Sequence, residues 1–451
     1  MRDLGARLRE IVRREKTSGV FPADSATGKT PDVFPNHNSV RELTYVPDPD
    51  PQRPNHHIAR LLGGTPLNDD PGCVVVDRVW AYDRSHGRKR IETCLLDADA
   101  PIALFDPRVI ENDGWWRRLV FFDIETTGLS GGAGTLAFLC GVAWFDDEGL
   151  RVRQFFLSGP AGEKAMLAGL ADVFRDASLL VTYNGRSFDV PLMETRWAFH
   201  RAAAPTDGMP HFDMLPPARR LWGRSWIDEK TSCSLSTLER SVLGFHRLGD
   251  VPGFEIPARY FQFLRTGDPG LIAGVLDHNR HDLVSLAVMT AHALWLVREG
   301  PLACREPAEQ VALGRVYERA GDAARAIDAY EVAAGSGERD VRRHALARLA
   351  VLLRREGRFD DAAVAWQSVL DLAPSRATLT ALERRAAEAL AIHHEHRARD
   401  LTTAERFAKS LSADARGREQ QDVARRLSRL SAKIQKAENG KGGPQAAPLL
   451  D

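Results

Sequence analysis

Asp123 and Glu125 stand one residue apart at the end of the apolar run in "LVFFDIETTGL", residues 119–129. On a strand, side chains at i and i+2 project to the same face, so this segment presents two carboxylates side by side. Two charges beside an apolar run are costly unless something positive compensates them. Hard oxygen ligands of this kind suit Mg²⁺ or Mn²⁺. The bland alternative is a strand end whose acids simply face water. The small hydroxyls and glycine that follow (Thr126, Thr127, Gly128) turn the chain sharply where a substrate would approach, which favours the metal reading.

Two later stretches carry further candidates. In "SLLVTYNGRSFDVPLM" (178–193), an apolar run leads into Asn184 and then Asp189, where a helix is predicted to start at about 190. Taken alone, Asp189 reads as a helix N-cap and Asn184 as a turn residue. In "LDHNRHDLVSLAVM" (276–289), His278 and Asp282 are four apart on a predicted helix and share a face. Alone they read as a surface pair. Together the acids arrive from a strand, a loop-to-helix junction and a helix. A two-metal site needs such convergence of carboxylates from different elements.

In this order, the DxE, NxxxFD and HxxxD motifs resemble the DEDD exonucleases of the ribonuclease-H-like superfamily, over residues 116–298. "STLERSVLGFHRLGDVPGFEIPARYFQFLRTGD" (236–268) looks like the bacterial YprB-type subfamily, some of whose members carry tetratricopeptide repeats; that wider likeness reaches residue 411. The resemblance implies that Asp123, Glu125, Asp189 and Asp282 hold two Mg²⁺ or Mn²⁺ ions, with Asp123 bridging both, and that His278 is the general base. It implies 3′→5′ hydrolysis of terminal phosphodiesters in DNA or RNA, one metal activating water and the other stabilising the leaving 3′-oxygen. Related enzymes keep a histidine base five residues before the last Asp and a tyrosine base four before. Here a histidine has the tyrosine spacing, which turns it about 100° around the helix. His278 therefore acts through a shifted backbone, or only orients water. The alternative function is a nucleic-acid end-binding protein without turnover, whose helical repeats recruit a protein partner.

Weaker candidates surround these. Thr126, Thr127 and Gly128 would let a terminal nucleotide approach the backbone, and Leu129 would wedge against its base. Asn184 and Arg186 are further substrate-binding candidates, Arg186 through a phosphate or, equally, as a solvated cation. Asp213 in "HFDML" reads as a structural acid. Trp115, Trp116, Trp222 and Trp226 read as packing rather than base-stacking residues, and His281 points to another side of the helix from His278.

The elements that must position these residues follow from periodicity. Apolar β-type runs at "LVFFD", "LAFLCGVAWF", "LRVRQFFL" and "SLLVTY" alternate with helical periods, the longest at 269–297. This predicts an α/β ribonuclease-H-like domain with a mixed sheet flanked by helices over 116–298. Before it we expect an amphipathic helix (1–16), a Pro-rich linker or arm (17–59) and a small β-rich unit (60–115). After it, residues 299–411 read as an all-α tetratricopeptide-like array: Gly321, Ala326 and Tyr330 recur 36 positions later as Gly357, Ala362 and Trp366, and in a third, degenerate unit Ala404 takes the place of Ala362. Residues 412–451 read as a basic helix, able to touch phosphates, and a frayed tail.

The composition of the 451 residues bounds the rest. With 61 basic and 61 acidic residues the formal charge is zero, so a globally basic nucleic-acid binder is not indicated. The five cysteines are scattered and never in CxxC spacing, which argues against disulfides and zinc. No apolar stretch exceeds roughly a dozen residues and the N-terminus lacks a secretory h-region, so the expected location is the cytoplasm, with no membrane contact.

Overall fold

The computed structural model describes residues 54–69, 72–111, 113–128, 134–223, 232–374, 378–412 and 415–441. The expected 1–16 helix, the arm as far as residue 53, Leu129, Trp226 and the tail after 441 lie outside them. The described chain divides into one compact unit ending at Glu299 and a second beginning at Gly300.

The first unit runs α1 (Pro54–Leu62), β1 (Thr65–Pro66), β2 (Cys73–Ala81), β3 (Ser85–His86), β4 (Lys89–Arg90), β5 (Leu119–Thr126), β6 (Ala137–Asp146), β7 (Gly149–Leu157), α2 (Glu163–Arg175), β8 (Leu179–Thr182), α3 (Asp189–Phe199), β9 (His211–Asp213), α4 (Leu215–Leu221), α5 (Leu235–Leu238), α6 (Ile256–Thr266) and α7 (Gly270–Glu299). Seven strands form one sheet in the order β1-β2-β7-β6-β5-β8-β9. Pairing is antiparallel from β1 through β5, while β8 and β9 join in parallel, so the sheet is mixed and covered by helices, as the periodicity predicts. The first eight residues of β6 are all buried, the mark of a central strand covered on both faces. Helix α2 packs on β5 through Phe122–Phe174 and on α3 through Phe174–Trp197, at 5.4 and 6.3 Å between ring centroids. A buried Glu163–Arg196 pair at 2.5 Å ties these two helices together.

Two expectations about the N-terminal region need correction. The segment 60–115 is not a separate β-rich unit. Its strand β2 pairs with β1 on one side and, over its full length, with β7 on the other, from Cys73 opposite Leu157 to Ala81 opposite Gly149. Local sequence gave no sign of this, because the paired residues lie from 68 (Ala81 to Gly149) to 84 (Cys73 to Leu157) positions apart. The linker also ends earlier than residue 59: α1 starts at Pro54, a residue tolerated at the first helical turn, and buries Ala59 and Leu62 in the sheet's core.

Gly141 of β6 lies opposite Asp123 of β5. A Cβ there would fall 2.2 Å from Asn279 Oδ1 and 2.6 Å from Leu283 Cδ1. The glycine therefore lets α7 settle directly against the strand pair that carries the acids.

The second unit is helical: α8 (Pro307–Arg319), α9 (Ala323–Ala334), α10 (Arg339–Arg355), α11 (Phe359–Asp371), α12 (Ala381–His393), α13 (Leu401–Ser412) and α14 (Arg418–Lys441). Each helix packs on the next. Gly321 and Gly357 take φ of +81° and +75° at equivalent turns, conformations that favour glycine. Ala326, Ala329, Ala365 and Ala404 are fully buried at the crossings. Part of the basic run has an internal task, because Arg429 and Lys433 of α14 both reach the Glu395 carboxylate at 2.8 Å. Among the described residues, no helix is long and apolar enough to cross a membrane.

Candidate metal centre

β5 ends with Asp123 and Glu125 on one face, and the register shifts between Glu125 and Thr126. Asp123 accepts a hydrogen bond from Asn279 Nδ2 at 2.8 Å. Asn279 is fully buried on α7, and its Oδ1 takes the Gln154 amide at 2.8 Å. Asn279 thus holds Asp123 without neutralising it.

Asp189 is the first residue of α3, directly after Phe188 at the N-cap position. It is 7% exposed. The loop before it is shaped by Asp213, whose oxygens accept the backbone N–H groups of Asn184 at 2.8 Å, Arg186 at 3.3 Å and Leu215 at 3.0 Å. Asn184 takes φ +66°, and a Cβ on Gly185 would lie 2.8 Å from Asp189 Oδ2. The NxxxFD motif is therefore a tight turn that places Asp189, with Asp213 as its structural brace.

On α7, Asp282 and His278 face the same cleft. His278 Nε2 lies 3.4 Å from Asp282 Oδ2 and 4.0 Å from Glu125 Oε1. One ligand atom from each of Glu125, His278 and Asp282 falls within 4.8 Å of the others. Burial lifts Asp123 well above the usual carboxylate range, and the charges of Asp282, Glu125 and Asp189 lift it further. Glu125 is raised by burial and then by Asp282 and Asp189. Asp189 is pushed up to about 7 by burial, with Asp213 adding to it. Asp123 and Glu125 each feel the charges of Asp189 and Asp282, so the four sequence-expected acids share one neighbourhood, while Glu125 and Asp282, with His278, bring ligand atoms within 4.8 Å of one another. An oxygen-rich, partly desolvated set under such strain matches the donors that hard divalent cations take.

Sequence reasoning missed the residues that tie this cleft together. Arg247 binds Asp282, Glu239 (2.5 Å) and Asp250 (3.2 Å). Asp250 in turn meets His278 Nδ1 at 2.8 Å. Arg247 and Asp250 sit in an aperiodic loop, where only their opposite charges three residues apart gave a signal. Asn279 stands beside His278 on the predicted helix, and nothing in its sequence setting singled it out.

The remaining candidates are placed as follows. Thr126 Oγ1 donates to the Gly128 carbonyl at 2.8 Å, and Thr127 exchanges hydrogen bonds with the Leu136 backbone, so the TTG turn is braced from within. Among the described residues nothing lies within 4 Å of where a Cβ on Gly128 would stand. Arg186 does not reach the acids: its guanidinium is held by Asp106 and the His211 carbonyl. Trp115 is buried against Trp116, and Trp222 stacks on His292. His281 turns toward Phe245, with its pKa lowered to about 4 by burial and by Arg247.

Comparison with known proteins gives the following. The RNase_H superfamily model matches residues 120–294. The uncharacterized protein YprB of Bacillus subtilis (strain 168) is 33% identical over 299 residues, covering 66% of this chain and 70% of that protein. The family B DNA polymerase of the hyperthermophilic archaeon Pyrobaculum calidifontis aligns over 53% of this chain at 13% identity, with a TM-score of 0.32; the chain spans 29% of that polymerase.

Proposed function

The chain belongs to the RNase_H superfamily, alongside the YprB protein, and from that premise we propose that it is a metal-dependent 3′→5′ exonuclease of the DEDD type acting on single-stranded nucleic acid. The observation that carries this reading is the convergence of four carboxylates from β5, α3 and α7, with a histidine nitrogen facing two of them.

Asp123, Glu125, Asp189 and Asp282 would hold two Mg²⁺ or Mn²⁺ ions. When bound, such ions polarise a phosphodiester, lower the pKa of water and stabilise a leaving oxygen. The protein's own groups do the remaining work. Asn279 keeps the Asp123 carboxylate aimed into the cleft. His278 takes a proton at Nε2, a contribution typically worth about 10²–10⁴-fold in rate. The braced turn at Thr126–Gly128 offers backbone to the terminal nucleotide, Leu129, next in sequence, is the proposed wedge against its base, and Asn184 is exposed on the loop before α3. Arg186 serves a phosphate only after releasing Asp106. The second unit is a tetratricopeptide-like array that offers a surface for a protein partner, and the chain acts in the cytoplasm.

One observation favours a second reading. Arg247 already neutralises Asp282, as suits a protein that grips a nucleic-acid end without turnover. The discriminating experiment is incubation of 3′- and 5′-labelled single-stranded DNA and RNA oligomers with Mn²⁺ or Mg²⁺, His278→Ala beside the wild type. Stepwise shortening from the 3′ end, strongly slowed in the variant, supports the exonuclease. Retention of both labels at full length with either metal moves the reading to end binding.

A further inference from the structure

We propose that Asp250 is a positioning residue that sets the tautomer and direction of the His278 ring, holding Nε2 toward Glu125 and Asp282. The idea rests on the nuclease reading for its purpose, and its test is independent of turnover.

Nothing in the HxxxD motif orients the imidazole. Sharing a helical face with Asp282 brings the ring to the cleft, but a free imidazole rotates and exchanges its proton between two nitrogens. Asp250 removes both freedoms. Its Oδ1 lies 2.8 Å from His278 Nδ1, while Oδ2 takes the Arg247 guanidinium at 3.2 Å. Burial pushes the Asp250 carboxyl up, but the bonds from His278 and Arg247 outweigh it and leave the group below its ordinary value. Asp250 is therefore ionised at neutral pH and can only accept. Nδ1 must donate to it. Arg247 Nη1 also approaches Nδ1 at 3.4 Å, but a guanidinium has no acceptor, so with Nδ1 protonated these two groups form no hydrogen bond. The nitrogen left to exchange a proton is Nε2, which faces the acids.

The loop carrying Asp250 is built onto α7. Val251, 4% exposed, packs so closely on Gly274 that a Cβ there would lie 2.8 Å from Val251 Cγ2. Gly274 stands one helical turn before His278. A side chain at 274 would lift the loop and carry Asp250 away from the ring. The same carboxylate-to-imidazole arrangement orients metal-ligating and catalytic histidines generally. Here it supplies an orientation that the short spacing before Asp282 leaves undetermined.

The test uses full-length ¹⁵N-labelled protein without added metal. Long-range ¹H–¹⁵N correlation of the histidine rings is followed upward from pH 7 until one ring nitrogen of His278 is deprotonated, with His278→Gln for assignment. The expected wild-type pattern is a protonated Nδ1 and a bare Nε2. Asp250→Ala should convert it to the opposite tautomer or an average, and Asp250→Asn, which keeps an acceptor, should retain Nδ1–H. A bare Nδ1 in the wild type, or a pattern unchanged in Asp250→Ala, overturns the proposal. In Mn²⁺-dependent turnover, Asp250→Ala should lower kcat by roughly 10–100-fold with KM nearly constant, and Asp250→Asn should recover part of it. A wild type that shows Nδ1–H but cleaves nothing would sink the nuclease reading while leaving the ring's orientation by Asp250 established.

Discussion

Asp189 stands at the head of α3 with its carboxyl lifted to about 7 from an ordinary 3.8. Between those values the native metal-free chain keeps a proton that the unfolded chain has lost. The group therefore favours folding below pH 4 and loses that advantage as pH rises through 7. At pH 8 the ionised carboxylate weakens the metal-free fold by up to about 4 kcal/mol. We expect Asp189→Asn to raise the metal-free Tm at pH 8 while abolishing the further rise that Mn²⁺ gives the wild type. The same signs make Mn²⁺ raise the wild-type Tm more at pH 8 than at pH 5.5, because binding at low pH must first displace protons. Equal rises at both pH values would contradict it. Arg247 sits in the same balance. Arg247→Ala would leave Glu239, 1% exposed, without its cation. Breaking a buried pair in this way costs about 3–5 kcal/mol, which urea denaturation would read directly.

Among the elements, β5 and α7 carry most of the site, and both were legible in sequence. An apolar run ending in alternate acids reads as a strand, and a period sustained over 269–297 reads as a helix. The depth at which α7 lies was not legible. It depends on Gly141, which looks in sequence like any glycine in a strand. Gly141→Ala should push Asn279 off Asp123 and cost roughly 1–3 kcal/mol in overpacking. Thermal melts and cleavage rate should fall together, and a variant that keeps full activity would show that the close approach of α7 is dispensable. The loop with Arg247 and Asp250 escaped sequence reasoning because a loop has no period. Its residues take their meaning from partners on α7 more than thirty positions away in one case (Arg247 to Asp282) and twenty-eight in the other (Asp250 to His278).

At the scale of the whole molecule, α/β and all-α regions separate where the strands stop, and the recurrence of Gly321 and Gly357 marks the helical hairpins. The pairing of β2 with β7 was out of reach, since a strand of mixed burial carries no label for its partner. In the second unit the Glu395 carboxyl is held down to about 2, chiefly by Arg429. Its folded value is the lower one, so this contribution is present above about pH 4.5 and lost as pH falls toward 2. We expect Glu395→Gln to speed hydrogen exchange in α14 at neutral pH while leaving exchange in α7 unchanged.

The most direct measurement is anomalous diffraction from crystals of the full chain grown with Mn²⁺. We expect manganese peaks within coordination distance of Asp123, Glu125, Asp189 and Asp282, with Arg247 withdrawn from Asp282. Crystals that hold manganese elsewhere but none among these four carboxylates, with the Arg247–Asp282 pair still closed, would contradict the metal-dependent nuclease.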